Sequence, residues 1–280
     1  MAITELREAC RLLVRMPLLW IPGAAAGLFA AVLWLILMFF GSFFAGRLLL
    51  IFCLVLLFVI TGALCLIKND GGDIRSMLSA GRQYYFRVLL PQVVILFMIL
   101  LVFLLVILTL TLLGTTPDPA MIVFLTFGVM LPSILLTFFA DTAAVFEEKK
   151  VFGSIQRSIG LVSVNLSKVI GFFVICAVLV CGIAFCLMVI WEGLLYSRLE
   201  PFTHYTEAQL QAITPDQLLA LIGTDGIWVT ALVLFIAGLV LVPLLYSYKA
   251  CFFRKMAAGS TVDIQQVTGE YDSKGRWYKY

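Results

Sequence analysis

The stretch Asp141 to Gly171, DTAAVFEEKKVFGSIQRSIGLVSVNLSKVIG, decides how the rest of the chain is read. It lies between two long uncharged apolar runs and carries Glu147, Glu148, Lys149, Lys150, Arg157 and Lys168. Phe152, Ile155, Ile159 and Val162 recur at the three- and four-residue spacing that brings side chains to one side of a helix. A basic amphipathic segment of this kind is expected to lie on a membrane and lead into the next span.

Composition outside the stretch agrees with that setting. Of 280 residues, 63% are hydrophobic and 12% charged, about half the charged share of an ordinary soluble domain. The expected class is an all-α polytopic membrane protein. The net charge of +3 does not argue for nucleic acid, because basic residues also set the orientation of membrane proteins.

A transmembrane helix needs roughly 20 apolar residues. Six runs meet or approach that length: Pro17 to Phe40, Leu48 to Ile67, Val88 to Leu113, Ala120 to Ala140, Val169 to Leu195 and Gly226 to Tyr248. They are expected to form three hairpins within residues 1–259, followed by a polar tail over 260–280. With the N-terminus in the cytoplasm, the inner segments hold every Lys and Arg except Arg47 and Arg198. So one-sided a division predicts a multi-pass protein of the cell membrane with both termini cytoplasmic.

Two further segments repeat the pattern of the opening stretch. Near the N-terminus, Leu6, Ala9, Cys10 and Leu13 share a helical face opposite Arg7, Arg11 and Arg15. After the turn Asn69 to Gly72, Ile74, Met77, Leu78 and Gly81 share one face, and Arg75, Arg82 and Gln83 another. With Lys149 to Asn165, these give three cytoplasmic surface helices, each before an odd-numbered span. An internal threefold repeat is one reading; charged inner loops common to membrane proteins are the other. The apolar run after Arg15 exceeds a signal-peptide core, so retention of the N-terminal segment is expected. Arg7, Arg11, Arg15, Arg75, Arg82, Lys149, Lys150 and Arg157 are candidate contacts to anionic headgroups of the inner leaflet.

Turns complete the outline. Gly41 to Arg47 is expected to join the first two spans, Pro91 to stand in the first turn of the third, and Gly114 to Pro119 to end the third as a compact outer turn. The outer segment Tyr196 to Gly226 offers capping boxes at Thr206 to Gln209 and Thr214 to Gln217, with Gly223 able to end the second helix. It reads as an acidic connector, or more sharply as a lid.

Chemistry is sparse. The single histidine, His204, excludes His-rich zinc sites. The seven cysteines contain no C-x-x-C pair and read as small apolar packing residues. Neither a phosphate-binding G-x-x-x-x-G-K-[ST] nor a nucleophile elbow G-x-S-x-G occurs. No cofactor, metal or catalytic residue is therefore assigned. Ionisable residues near spans are the remaining suspects, and these are Asp141 and Glu192. Pro132 and Pro243 are candidate kinks of the fourth and sixth spans, a transporter pattern, although Gly and Pro are generally commoner in membrane helices.

The segment Phe138 to Gly171, with Ala143, Ala144, Glu147, Arg157-Ser158 and Asn165, resembles the membrane domain attached to some glycerophosphoryl diester phosphodiesterases and related uncharacterised bacterial and archaeal membrane proteins. The closing PLLYSYKAC, Pro243 to Cys251, is similar to the last helix of that group. The resemblance implies a six-span helical domain. It does not imply phosphodiesterase activity, since the catalytic barrel has no counterpart here. The expected role is a non-enzymatic membrane-embedded accessory in transport or envelope organisation, with membrane lipids and a membrane protein as partners. A permease for a lipid or small amphiphile is the alternative, and a lipid-modifying enzyme the third.

Overall fold

The computed structural model describes residues 2–112, 114, 118–200, 215–259, 269–271 and 277–279. The elements are α1 (Ala2–Arg15), a 3-10 turn (Pro17–Trp20), α2 (Ile21–Phe40), α3 (Ser42–Lys68), α4 (Ile74–Leu112), α5 (Pro119–Thr137), α6 (Ala140–Phe146), α7 (Val151–Val164), α8 (Leu166–Leu194), α9 (Tyr196–Leu199) and α10 (Pro215–Gly259). In the tail, β1 (Gly269–Tyr271) pairs antiparallel with β2 (Trp277–Lys279). Six helical stretches are long and apolar enough to cross a membrane, with mean hydropathy from 2.3 to 3.5. In hydrocarbon the helix is the solution available to such segments, because it satisfies each backbone N–H and C=O internally. The chain is an all-α multi-pass membrane protein.

Two compact units divide it. The first comprises Met1–Tyr85 and Ile170–Tyr248, the second Phe86–Val169 and Lys249–Tyr280.

In the first unit, α1 buries Ala9 and Leu13 and leaves Arg7, Arg11 and Arg15 exposed, as the periodicity predicts; Cys10, expected on the inner face, is exposed. Glu5 is 1% exposed, a burial that the apolar pattern did not announce. The expected turn Gly41 to Arg47 contracts to Gly41 alone, because its φ of +83° reverses the chain and α3 begins at the next residue. Phe29 of α2 then stacks on Phe52 of α3 with ring centroids 4.3 Å apart.

Close approach of α2 to α10 rests on missing side chains. A Cβ on Gly23 would lie 2.5 Å from the Leu239 carbonyl oxygen and 2.7 Å from Pro243 Cδ. One on Gly238 would lie 2.5 Å from Gly27 Cα. Small residues spaced by four along a membrane helix allow backbones this near. At one end of the pair the Tyr246 hydroxyl donates to the Leu19 carbonyl. Toward the other end the Trp34 indole donates to the Ile227 carbonyl at 3.1 Å, the Trp191 indole to Thr230 Oγ1 at 2.9 Å, and Arg198 pairs with Asp225 at 2.9 Å.

The third span departs from expectation. Pro91 does not open a helix but sits inside α4, which runs unbroken for 39 residues. Proline removes its own hydrogen bond, and in a membrane helix neighbouring turns and packing compensate. At 1.5 Å per residue the helix is roughly 58 Å long, about twice the hydrocarbon thickness. The second expected surface helix is thus the beginning of α4, whereas α1 and α7 are separate elements. Helix α10 starts at Pro215 and breaks at Gly223, where φ is +66°, matching the expected second short helix. The Thr206 to Gln209 box, His204 and residues 115–117 of the Gly114 to Pro119 turn lie outside the described residues.

Candidate functional site

The second unit places the opening stretch around a broken helix. Helix α5 ends at Thr137 and α6 begins at Ala140, so the backbone at Phe138 and Phe139 leaves the helical ladder. Ser158, from α7, repairs the gap. Its Oγ accepts from the Phe139 N–H at 3.0 Å and donates to the Leu136 carbonyl at 2.8 Å. Ser158 is fully buried, so water does not substitute for it. Replacing Ser158 by Ala is expected to cost about 1 to 3 kcal/mol, since it orphans a buried donor. Thermal unfolding in detergent checks this, and Ser158→Thr, which keeps the hydroxyl, is expected to lose less.

The same contact corrects the expected face of α7. Its buried residues are Ser154, Ser158, Leu161 and Val162, while Phe152 is 74% exposed and Ile159 also points outward. Only Val162 of the predicted apolar row is buried. In soluble proteins the large apolar residues turn inward; between membrane helices small and hydroxyl residues take the contact and large ones are free to meet lipid.

Beneath the break, Phe139 stacks on Phe252 with centroids 5.9 Å apart and lies 6.1 Å from Phe253, which also meets Phe146 at 5.9 Å. Beside these rings Asp141 and Lys249 form an ion pair. Lys249 Nζ donates to Asp141 Oδ2 at 2.7 Å, and the two side chains are 13% and 15% exposed. The second oxygen, Oδ1, accepts from the Thr142 N–H at 2.7 Å and the Thr142 hydroxyl at 3.1 Å. Lys249 Nζ also stands 4.2 Å from the centroid of the Phe138 ring. The carboxylate thus has both oxygens engaged, and the ammonium has a carboxylate and an aromatic face.

A second pair flanks it. Arg157 Nε donates to Glu147 at 2.9 and 3.0 Å, with side chains 16% and 22% exposed. Arg157, expected among the headgroup contacts, is instead committed to this carboxylate. Glu148 lies 4.0 Å from Arg87 at the surface. Asn165 closes α7: its N–H donates to the Leu161 and Val162 carbonyls, and its Oδ1 accepts from Lys168.

The other candidates fall elsewhere. Arg75, Arg82, Lys149 and Lys150 are exposed, as is Glu192 near the end of α8. Pro132 is an exposed residue inside α5, whereas Pro243 is buried against Gly23 in the first unit. Among the described residues no three His, Cys, Asp or Glu side chains are placed to hold a metal ion. Sequence reading missed Lys249 as the partner of Asp141, and Ser158 as the stitch. The available signals were an Asp and a Lys at the predicted inner ends of two spans, and a Gly-x-x-x-Gly at Gly23 and Gly27.

A family model described as "Domain of unknown function (DUF7847)" matches residues 1–256, and the chain belongs to that family. No curated protein and no solved structure matches it. None of these comparisons links it to the glycerophosphoryl diester phosphodiesterase membrane domain.

Proposed function

We propose that this member of the DUF7847 family is a non-enzymatic, membrane-embedded accessory protein. It sits in the cell membrane with both termini cytoplasmic and serves a membrane protein partner in transport or envelope organisation. The observation that supports this reading is how the chain distributes its charge. At the broken helix the interior carboxylates Asp141 and Glu147 are held by Lys249 and Arg157, so they brace the fold. By contrast Arg7, Arg11, Arg15, Arg75, Arg82, Lys149 and Lys150 are all exposed and free to meet anionic headgroups on the inner leaflet. We carry no hydrolytic activity over to this chain.

Gentle extraction from native membranes followed by native mass spectrometry tests this. The expected result is a stoichiometric protein partner with retained anionic lipid. Saturable passage of a lipid or amphiphile through vesicles holding the chain alone would overturn it in favour of a permease.

A further inference from the structure

We infer that the turn Glu147-Glu148-Lys149-Lys150 and the first turn of α7 form an anchor for anionic phospholipid, with Lys149 and Lys150 at the headgroups and Phe152 in the acyl boundary. The inference rests on the accessory reading only in placing this turn at the inner leaflet.

Read as sequence, Glu-Glu-Lys-Lys is neutral and offers no preference for an anion. The fold separates the charges. Glu147 turns back to Arg157 of α7. Glu148, held at a φ of +53°, faces Arg87 of α4. Both acids are thereby drawn toward cations of the protein itself, and among the described residues neither Lys149 nor Lys150 has an ion-pair partner. A Cβ built on Gly153 would touch Lys149 Cβ and Cδ at 3.8 and 4.0 Å, so the lysine stem runs along the first turn of the helix. That leaves two consecutive lysines exposed, with Phe152 two residues further on and 74% exposed.

Opposite faces of α7 define the geometry. Ser154, Ser158, Leu161 and Val162 hold the helix on the protein, and Ile159 points outward with Phe152. A bilayer adjoins this helix because α8, a span, starts two residues after it ends. An outward aromatic one turn from two exposed lysines, at the entry to a span, fits the phosphate and the upper acyl chain of an anionic lipid. A soluble phosphate would use the lysines and leave Phe152 in water.

The test uses the full chain with p-benzoylphenylalanine in place of Phe152, in vesicles of equal phosphatidylglycerol and phosphatidylcholine. Irradiation is expected to give lipid adducts in which phosphatidylglycerol predominates. The Lys149→Gln/Lys150→Gln form is expected to lose that preference by roughly tenfold, with an unchanged melting temperature as the check that it is folded. Absence of lipid adducts at 152, or a preference indifferent to the double substitution, overturns the anchor. A protein cross-linked at 152 in native membranes also overturns it while leaving the accessory reading intact. Failure to find any partner in native mass spectrometry would remove that reading and leave the lipid adducts standing.

Discussion

Asp141→Asn is expected to lower the stability of the folded chain by about 3 kcal/mol, and Lys249→Met by a similar amount, because each leaves the opposite charge without its partner in a mostly buried position. The pair is 2.7 Å long with side chains 13% and 15% exposed, so little water is available to take over. Lysine can extend its flexible stem toward the surface, which sets the estimate at the lower end of the range for buried pairs. The double form Asp141→Asn/Lys249→Met removes both charges and is expected to recover most of the loss. Thermal unfolding of the four forms in one detergent gives the coupling energy directly. Additive single effects would mean that the two side chains do not depend on each other, contrary to the geometry.

Gly27→Leu is expected to have an effect at least as large. A Cβ there meets the Phe235 carbonyl oxygen, and one on Gly238 meets Gly27 N and Cα at 2.5 Å. These obstacles are backbone, so the helices must separate and the Gly23 contacts to Leu239 and Pro243 go with them. Overpacking typically costs about 1 to 3 kcal/mol and more where the obstacle is backbone that cannot repack, and in a membrane the lost contacts are not replaced by a hydrophobic gain, since lipid is as apolar as leucine. Loss of the folded monodisperse peak on gel filtration is the expected readout for Gly27→Leu and Gly238→Leu. Gly182→Ala, which meets nothing within 4 Å, is expected to behave as the parent chain. Equal behaviour of Gly27→Leu and Gly182→Ala would dismiss the close approach of α2 to α10.

Hydropathy located the six spans, and Pro17 to Phe40 agrees at both ends. It marks where the chain is apolar, not where the helix ends: α4 extends from Ile74, before the apolar run at Val88, and α10 continues to Gly259, past Tyr248. Amphipathic spacing placed the exposed arginines of α1 correctly but misassigned α7, because the rule that large apolar residues face inward reverses against lipid. Asp141 was singled out by its cost in a membrane, yet its partner lies 108 residues away and no local pattern joins them. Ser158 was legible only as part of an Arg-Ser pair. Its role as a stitch depends on the helix break at Phe138 and Phe139, in a run that reads as continuously apolar.

Orientation of the spans underlies the proposed role, because only a cytoplasmic basic side meets anionic inner-leaflet lipid. Single cysteines at Ser79 and Ser197, both exposed in the first unit, report it in a chain whose seven native cysteines are replaced. With an impermeant thiol reagent on intact cells, the cysteine at 197 is expected to react at once and that at 79 only after permeabilisation. Labelling of position 79 in intact cells, with protection at 197, would contradict it.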